Sequence, residues 1–150
     1  MAVNFDKFAH EGNEFINELA EKLHHPESKG QVNILVRAVL HVLRDRITIP
    51  QSFNLMAQFP MFLKGMYVDQ WKYREKPTDI NTMQEFCEAV EREQAQFGER
   101  EFDWNASTEE LVKAVLEVIG LRYVSSGEIS DIVDELPAEL KQIFDGQEVS

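Results

Sequence analysis

The stretch from Leu35 to Tyr67, LVRAVLHVLRDRITIPQSFNLMAQFPMFLKGMY, returns as Leu111 to Phe144, LVKAVLEVIGLRYVSSGEISDIVDELPAELKQIF, at an offset of 76 residues that becomes 77 after one inserted position. Copies of one supersecondary unit bury their apolar faces against each other, so this self-similarity constrains the fold more than any other feature. The expected repeat spans 5–73 and 81–145 within a single domain of residues 1–150. At 150 residues and 43% apolar content, the chain can bury roughly 70% of the surface its unfolded form exposes, without a disulfide or a metal.

The apolar spacing is helical throughout. It predicts an all-α fold, a compact bundle of about eight helices built from two related four-helix halves. Between Leu35 and Leu43 only Arg37 and His41 are polar, and Arg44 follows, so the polar positions fall at i, i+4 and i+7 on one narrow stripe. The second copy repeats this with Lys113, Glu117 and Gly120. Capping-box spacing opens both central helices, Ser28 with Gln31 and Ser107 with Glu110, and it recurs after them as Thr48 with Gln51 and Ser125 with Glu128. A short helix then stops at Phe59-Pro60 or Leu136-Pro137, because proline disfavours the α conformation of its predecessor yet suits the first turn of a new helix. The helices that follow keep Leu63, Met66 and Tyr67 in step with Leu140, Ile143 and Phe144. Looser partner helices precede each repeat, with Phe8, Phe15, Ile16, Leu19 and Leu23 in the first and Met83, Phe86, Cys87 and Val90 in the second. A polar linker from Lys72 to Thr82 joins the halves, and an irregular stretch from Phe97 to Ala106 precedes the later central helix.

The string LVRAVLHVL, the charged turn after it, the Ala-Gln-Phe-Pro motif with Leu63-Lys64, and Trp71 just beyond resemble the bacterial family known as domain of unknown function 2267. The resemblance covers about Phe15 to Phe144. It implies an all-helical chain of two related halves and carries over no catalytic residue. The first copy reads Phe59-Pro60 where the family tends to read Leu-Pro.

Charge separates the halves. Residues 1–76 carry a net +1 and residues 77–150 a net −13, which together give the chain's −12. A field of that sign repels phosphate backbones, so no nucleic-acid partner is expected. The first residues show neither a basic leader nor an apolar run of signal length, and no segment approaches the ~18 apolar residues of a membrane span, so a soluble cytoplasmic protein without a membrane partner is expected.

Chemistry-bearing patterns are sparse. Glu21-x-x-His24 places a glutamate and a histidine one helical turn apart, but the second half offers Arg92 and Ala95 at the corresponding positions, so no metal and no cofactor is expected. His24 and His25 instead read as a helix end before Pro26. Cys87, the only cysteine, excludes an intrachain disulfide and reads as a core residue rather than a nucleophile. Phosphate loops, a His-Glu-x-x-His pair and a Gly-x-Ser-x-Gly elbow are all missing, which leaves an enzyme unsupported and names no catalytic residue.

Differences between the copies are more informative. Phe53 aligns with Ser130, Ala57 with Asp134 and Phe62 with Glu139, so the first copy is apolar where the second is polar. These apolar groups are covered either by the N-terminal helix or the linker, or by a partner; in the second case Phe53, Phe62 and Trp71 are the expected interface of a protein-association module, a homodimer included. Arg37, His41 and Arg44 form a cationic stripe with no cationic counterpart. That stripe can hold an acidic partner or an anion, or pair with the acidic second half, the arrangement expected here. A small-ligand or metal-binding protein using the groove between the halves is the alternative.

Overall fold

A computed structural model describes residues 5–142, and Ile143 and Phe144 lie outside the described residues. Seven α-helices follow in order: α1 (Phe5–Lys22), α2 (Lys29–Arg46), α3 (Ile49–Met56), α4 (Met61–Val68), α5 (Met83–Gln96), α6 (Thr108–Tyr123) and α7 (Ser126–Val133). A further helical stretch covers 138–142, and no strand occurs among the described residues. The fold is all-α, and no described helix is long and apolar enough to cross a membrane.

The apolar run predicted for the first central helix explains its position. α2 packs against α1, α4, α5 and α6, and it buries Leu35, Val36, Ala38, Val39 and Leu40 completely. The corresponding helix α6 buries Val112 and Val115 completely and Leu116 and Ile119 nearly so. Phe15 and Leu19 of α1, Leu63 and Tyr67 of α4, and Phe86 and Val90 of α5 close the core. Each such Val, Leu, Ile or Phe side chain contributes about 1.5–3 kcal/mol relative to an exposed one.

Three of the four predicted N-terminal caps form, with Gln51 donating its backbone N–H to Thr48, Glu110 to Ser107 and Glu128 to Ser125. Ser28 departs from expectation and makes no side-chain cap: its backbone, at φ −108° and ψ 42°, lies outside the extended region that aims a capping hydroxyl at the helix amides, and the Gln31 side chain bonds Glu99 and Trp104 instead. The full capping box lies at Thr82, whose hydroxyl accepts from the Glu85 backbone while Glu85 accepts from the Thr82 N–H. Phe59-Pro60 ends the α3 segment as predicted, with Pro60 as the N-cap of α4.

α1 ends in a Schellman turn: the His25 N–H reaches the Ala20 carbonyl at 2.9 Å and the His24 N–H reaches that of Glu21 at 3.0 Å. His24 occupies the left-handed position of that turn with φ 67°, where glycine is favoured. His24→Gly is expected to stabilise the fold by about 0.5–1 kcal/mol, read as a higher urea midpoint, and an unchanged or lower midpoint would deny that strain. His25 stacks on Trp104 at 4.6 Å, and the Trp104 indole donates to Gln31, so the irregular 97–106 stretch is pinned to the α1–α2 corner.

α3 and α7 meet through paired hydrogen bonds. The Ser125 N–H donates to Gln58 Oε1 at 2.6 Å, and the Thr48 N–H donates to Glu135 Oε1 at 3.4 Å. The 77-residue offset carries Thr48 onto Ser125 and Gln58 onto Glu135, so each half caps the other's short helix with the same position.

Candidate functional site

The cationic stripe runs along α2 into a set of clefts at the junction of α2, α4, α5 and the linker. Arg44 is the deepest cation, only 5% exposed. Its Nη1 donates to the carbonyls of Tyr67 and Asp69, both at 3.0 Å, and its Nε donates to Asp45 at 3.0 Å. The guanidinium thus closes the C-terminal end of α4, where unpaired carbonyls and the helix dipole favour a cation. Arg37 pairs with Asp69 and lies 4.4 Å from the Phe97 ring centre. Asp69 and Gln70 are the central residues of a type II turn, with Asp69 at φ −57° and ψ 130°, Gln70 at φ 59°, and the Trp71 N–H bonded to the Val68 carbonyl. That turn presents the Asp69 carboxylate to Arg37, its carbonyl to Arg44, and the Trp71 ring to the Arg44 guanidinium 5.7 Å away.

His41 is 2% exposed, with Nε2 2.9 Å from the Met66 carbonyl and Nδ1 3.3 Å from Glu93 Oε2. A carbonyl only accepts, so Nε2 carries the hydrogen and neutral His41 turns its Nδ1 lone pair toward the Glu93 carboxylate. Burial, with the nearby Arg44 charge, pulls the His41 pKa below its ordinary value against the raising effect of the Met66 and Glu93 contacts. The fold therefore favours the neutral ring. Its contribution to stability is present above the unfolded value near 6.5 and is lost as pH falls from there through the lower folded value. Wild type is expected to lose urea resistance between pH 7.5 and 5, and His41→Gln to lose less over the same interval. Parallel losses in the two proteins would remove His41 from that dependence.

The stripe is thus held internally, but not as the charge split suggests. Among the described residues, His41 alone of the three meets a carboxylate of the acidic half, Glu93, and Arg37 touches that half through the Phe97 ring; Arg37 and Arg44 pair with Asp69 and Asp45 of their own half. Asp69 and Glu93 were missed because neither stands in a motif, and only the α4 turn and the α2–α5 packing bring them to the stripe. Thr82 and Glu85 did carry a readable cap spacing.

The three expected interface aromatics separate. Phe53 is 61% exposed and lies against Trp71, with ring centres 6.2 Å apart, and Tyr73 nearby in sequence is 81% exposed. Phe62 does not join them. It is half-buried between Phe15 and Tyr123, with ring centres 5.6 and 6.4 Å away, and its ring lies against Gly12 of α1, where an added Cβ would approach within 3.4 Å. The N-terminal helix lies over Phe62, the intramolecular cover that is one of the two arrangements expected for these aromatics.

Three open clefts of about 370, 510 and 380 Å³ meet around Asp45 and Arg74, which line all of them. The largest is bordered by His41, Arg44, Lys72 and Glu93. Among the described residues no group of three or more histidine, cysteine, aspartate or glutamate side chains is placed to hold a metal ion. Cys87 is half-buried, and burial followed by the Glu109 and Glu91 charges pushes its thiol up to about 11, which leaves little thiolate at neutral pH.

Residues 12–143 match the family described as an uncharacterized conserved protein (DUF2267). The chain belongs to that family. No curated protein matches it. Membership assigns no reaction, so a functional reading rests on the clefts and the aromatic face.

Proposed function

We propose that this member of the DUF2267 family is a non-catalytic protein-association module, and that the face of Phe53, Trp71 and Tyr73 pairs it with a second copy. The observation that carries this is the exposure of Phe53 and Tyr73 beside Trp71. Exposed aromatic groups rimmed by charge mark association surfaces, because they bury large rigid areas at small entropic cost. The rim here is basic, Lys72, Arg74 and Lys76, whereas residues 77–150 carry a net −13. A second copy supplies the opposite charge.

Phe53→Ser, which introduces the residue found at Ser130, is expected to abolish self-association in sedimentation equilibrium and to shift stability by less than about 0.5 kcal/mol. A wild type that stays monomeric at millimolar concentration would end the self-pairing reading.

The 510 Å³ cleft supports a second reading, a small-ligand site between the halves, with His41, Arg44 and Lys72 on its wall. Thermal-shift titration with phosphorylated metabolites and divalent metals tests it, and a flat response would count against it.

A further inference from the structure

A further cleft, of about 360 Å³, lies where the end of α5, the 97–106 stretch and the start of α6 meet, and none of Phe53, Trp71 and Tyr73 lines it. Gln94 does line it and is only 1% exposed. Its Nε2 donates to the Arg100 carbonyl at 2.7 Å, which fixes the orientation of the amide, because the flipped amide would set oxygen against oxygen. Oε1 is then the free end of the side chain, buried and without a donor among the described residues. A buried acceptor left unmet costs the fold, and a ligand that donates to it recovers that cost.

The other polar groups of the cleft show the same imbalance. Its donor side chains are engaged: the Trp104 indole donates to Gln31, the Thr108 hydroxyl to Glu91 at 2.6 Å and the Ser107 hydroxyl to Glu110. Its carboxylates are less well met. Glu101 pairs with no cation among the described residues, and the one cation beside Glu91 is Arg100 at 3.7 Å, whose side chain is 56% exposed. So long and wet a pairing is readily exchanged for a better one. The start of α6 draws anions, but Ser107 caps it and Glu109 and Glu110 stand in its first turn, so negative groups prevail there. Phe102 and Trp104, with ring centres 4.7 Å apart, join Ala106 and Leu111 as the apolar wall. A ligand that fits must donate hydrogen bonds, carry positive charge and offer an apolar chain. We infer that this cleft binds a primary alkylammonium, its N–H groups donated to Glu91 and Gln94 Oε1 and its methylene chain laid against Phe102 and Trp104. The inference goes beyond the association reading and uses none of the residues of that face.

The test is a calorimetric titration of the full chain with butylammonium, with 1,4-diaminobutane and with an end-blocked pentapeptide carrying one central lysine. Tetramethylammonium, which has no N–H, and pentanoate, which has the opposite charge, serve as controls. Saturable binding of a primary ammonium is expected, at least about tenfold tighter than that of tetramethylammonium, because a charge-assisted hydrogen bond separates the two. The Gln94 side-chain amide should shift in nitrogen-edited NMR spectra as the ligand is added. Glu91→Gln should weaken binding at least about tenfold, and Ala106→Phe, at an exposed position, should block the cleft. Arg100→Gln should tighten binding about threefold or more by removing the competing cation, whereas Arg92→Gln, an exposed cation outside the cleft, should leave it unchanged. Circular dichroism checks that each variant keeps its fold. Tightest binding of the peptide, with the same dependence on Glu91, would support the inference and give the ammonium to a partner's lysine; tightest binding of the diamine or butylammonium would support it and give the site to a free amine. Equal binding of tetramethylammonium, no binding of any primary ammonium, or a gain in Arg92→Gln equal to that in Arg100→Gln would overturn it, the last by marking a diffuse attraction to the acidic surface.

Discussion

Arg44→Met is expected to lower unfolding free energy by about 3–5 kcal/mol, because it removes one buried cation, leaves two carbonyls without their donor and leaves Asp45 only Arg74, at 3.8 Å. The carbonyls of Tyr67 and Asp69 and the Asp45 carboxylate all accept from this guanidinium. Methionine fills much of the volume but donates nothing, so the cost is unsatisfied polarity rather than a cavity. Arg44→Lys should recover only part of the loss, since one ammonium cannot reproduce the fork that spans two carbonyls and a carboxylate. Urea denaturation measures both. A loss below about 1 kcal/mol for Arg44→Met would mean that Arg44 is dispensable to the α4 end and free to serve a ligand.

Phe62→Glu is expected to cost about 2–4 kcal/mol and to lower the melting temperature markedly, although the corresponding position, Glu139, already carries glutamate. The difference lies in what covers the site. Phe62 packs against Phe15 and Tyr123 beneath α1, whereas Glu139 is exposed. Differential scanning calorimetry decides this, and a variant as stable as wild type would return Phe62 to the surface.

The helical fold was legible because its cause is local. The narrow polar stripe of Arg37, His41 and Arg44 announced a helix buried on most sides, and Ser107, Thr48 and Ser125 announced helix starts whose amides those side chains do satisfy. The Ser28 cap misled because spacing does not set the backbone: Ser28 lies at φ −108° and ψ 42°, away from the extended conformation a capping side chain needs, while the Gln31 side chain is held by Trp104 and Glu99 more than sixty residues away. The candidate site was legible only as a list of members. That Arg37 and Arg44 carry cations is local information; that Asp69 meets one through its carboxylate and the other through its carbonyl depends on a tight turn at Gln70, a residue with no turn signature. Likewise Phe53 and Phe62 look alike as mismatches between copies, yet one faces outward and the other lies under α1. Copy comparison finds positions whose surroundings differ and cannot tell a covering helix from a partner.

Phe53→Ser and Phe62→Glu, compared side by side for melting temperature and sedimentation mass, test most directly whether association is separable from folding. The expected pattern is crossed: Phe53→Ser becomes monomeric with an unchanged melting temperature, and Phe62→Glu melts several degrees lower while its remaining folded fraction still associates. A Phe53→Ser protein that self-associates like wild type, or a Phe62→Glu protein that becomes monomeric at full stability, would contradict the account.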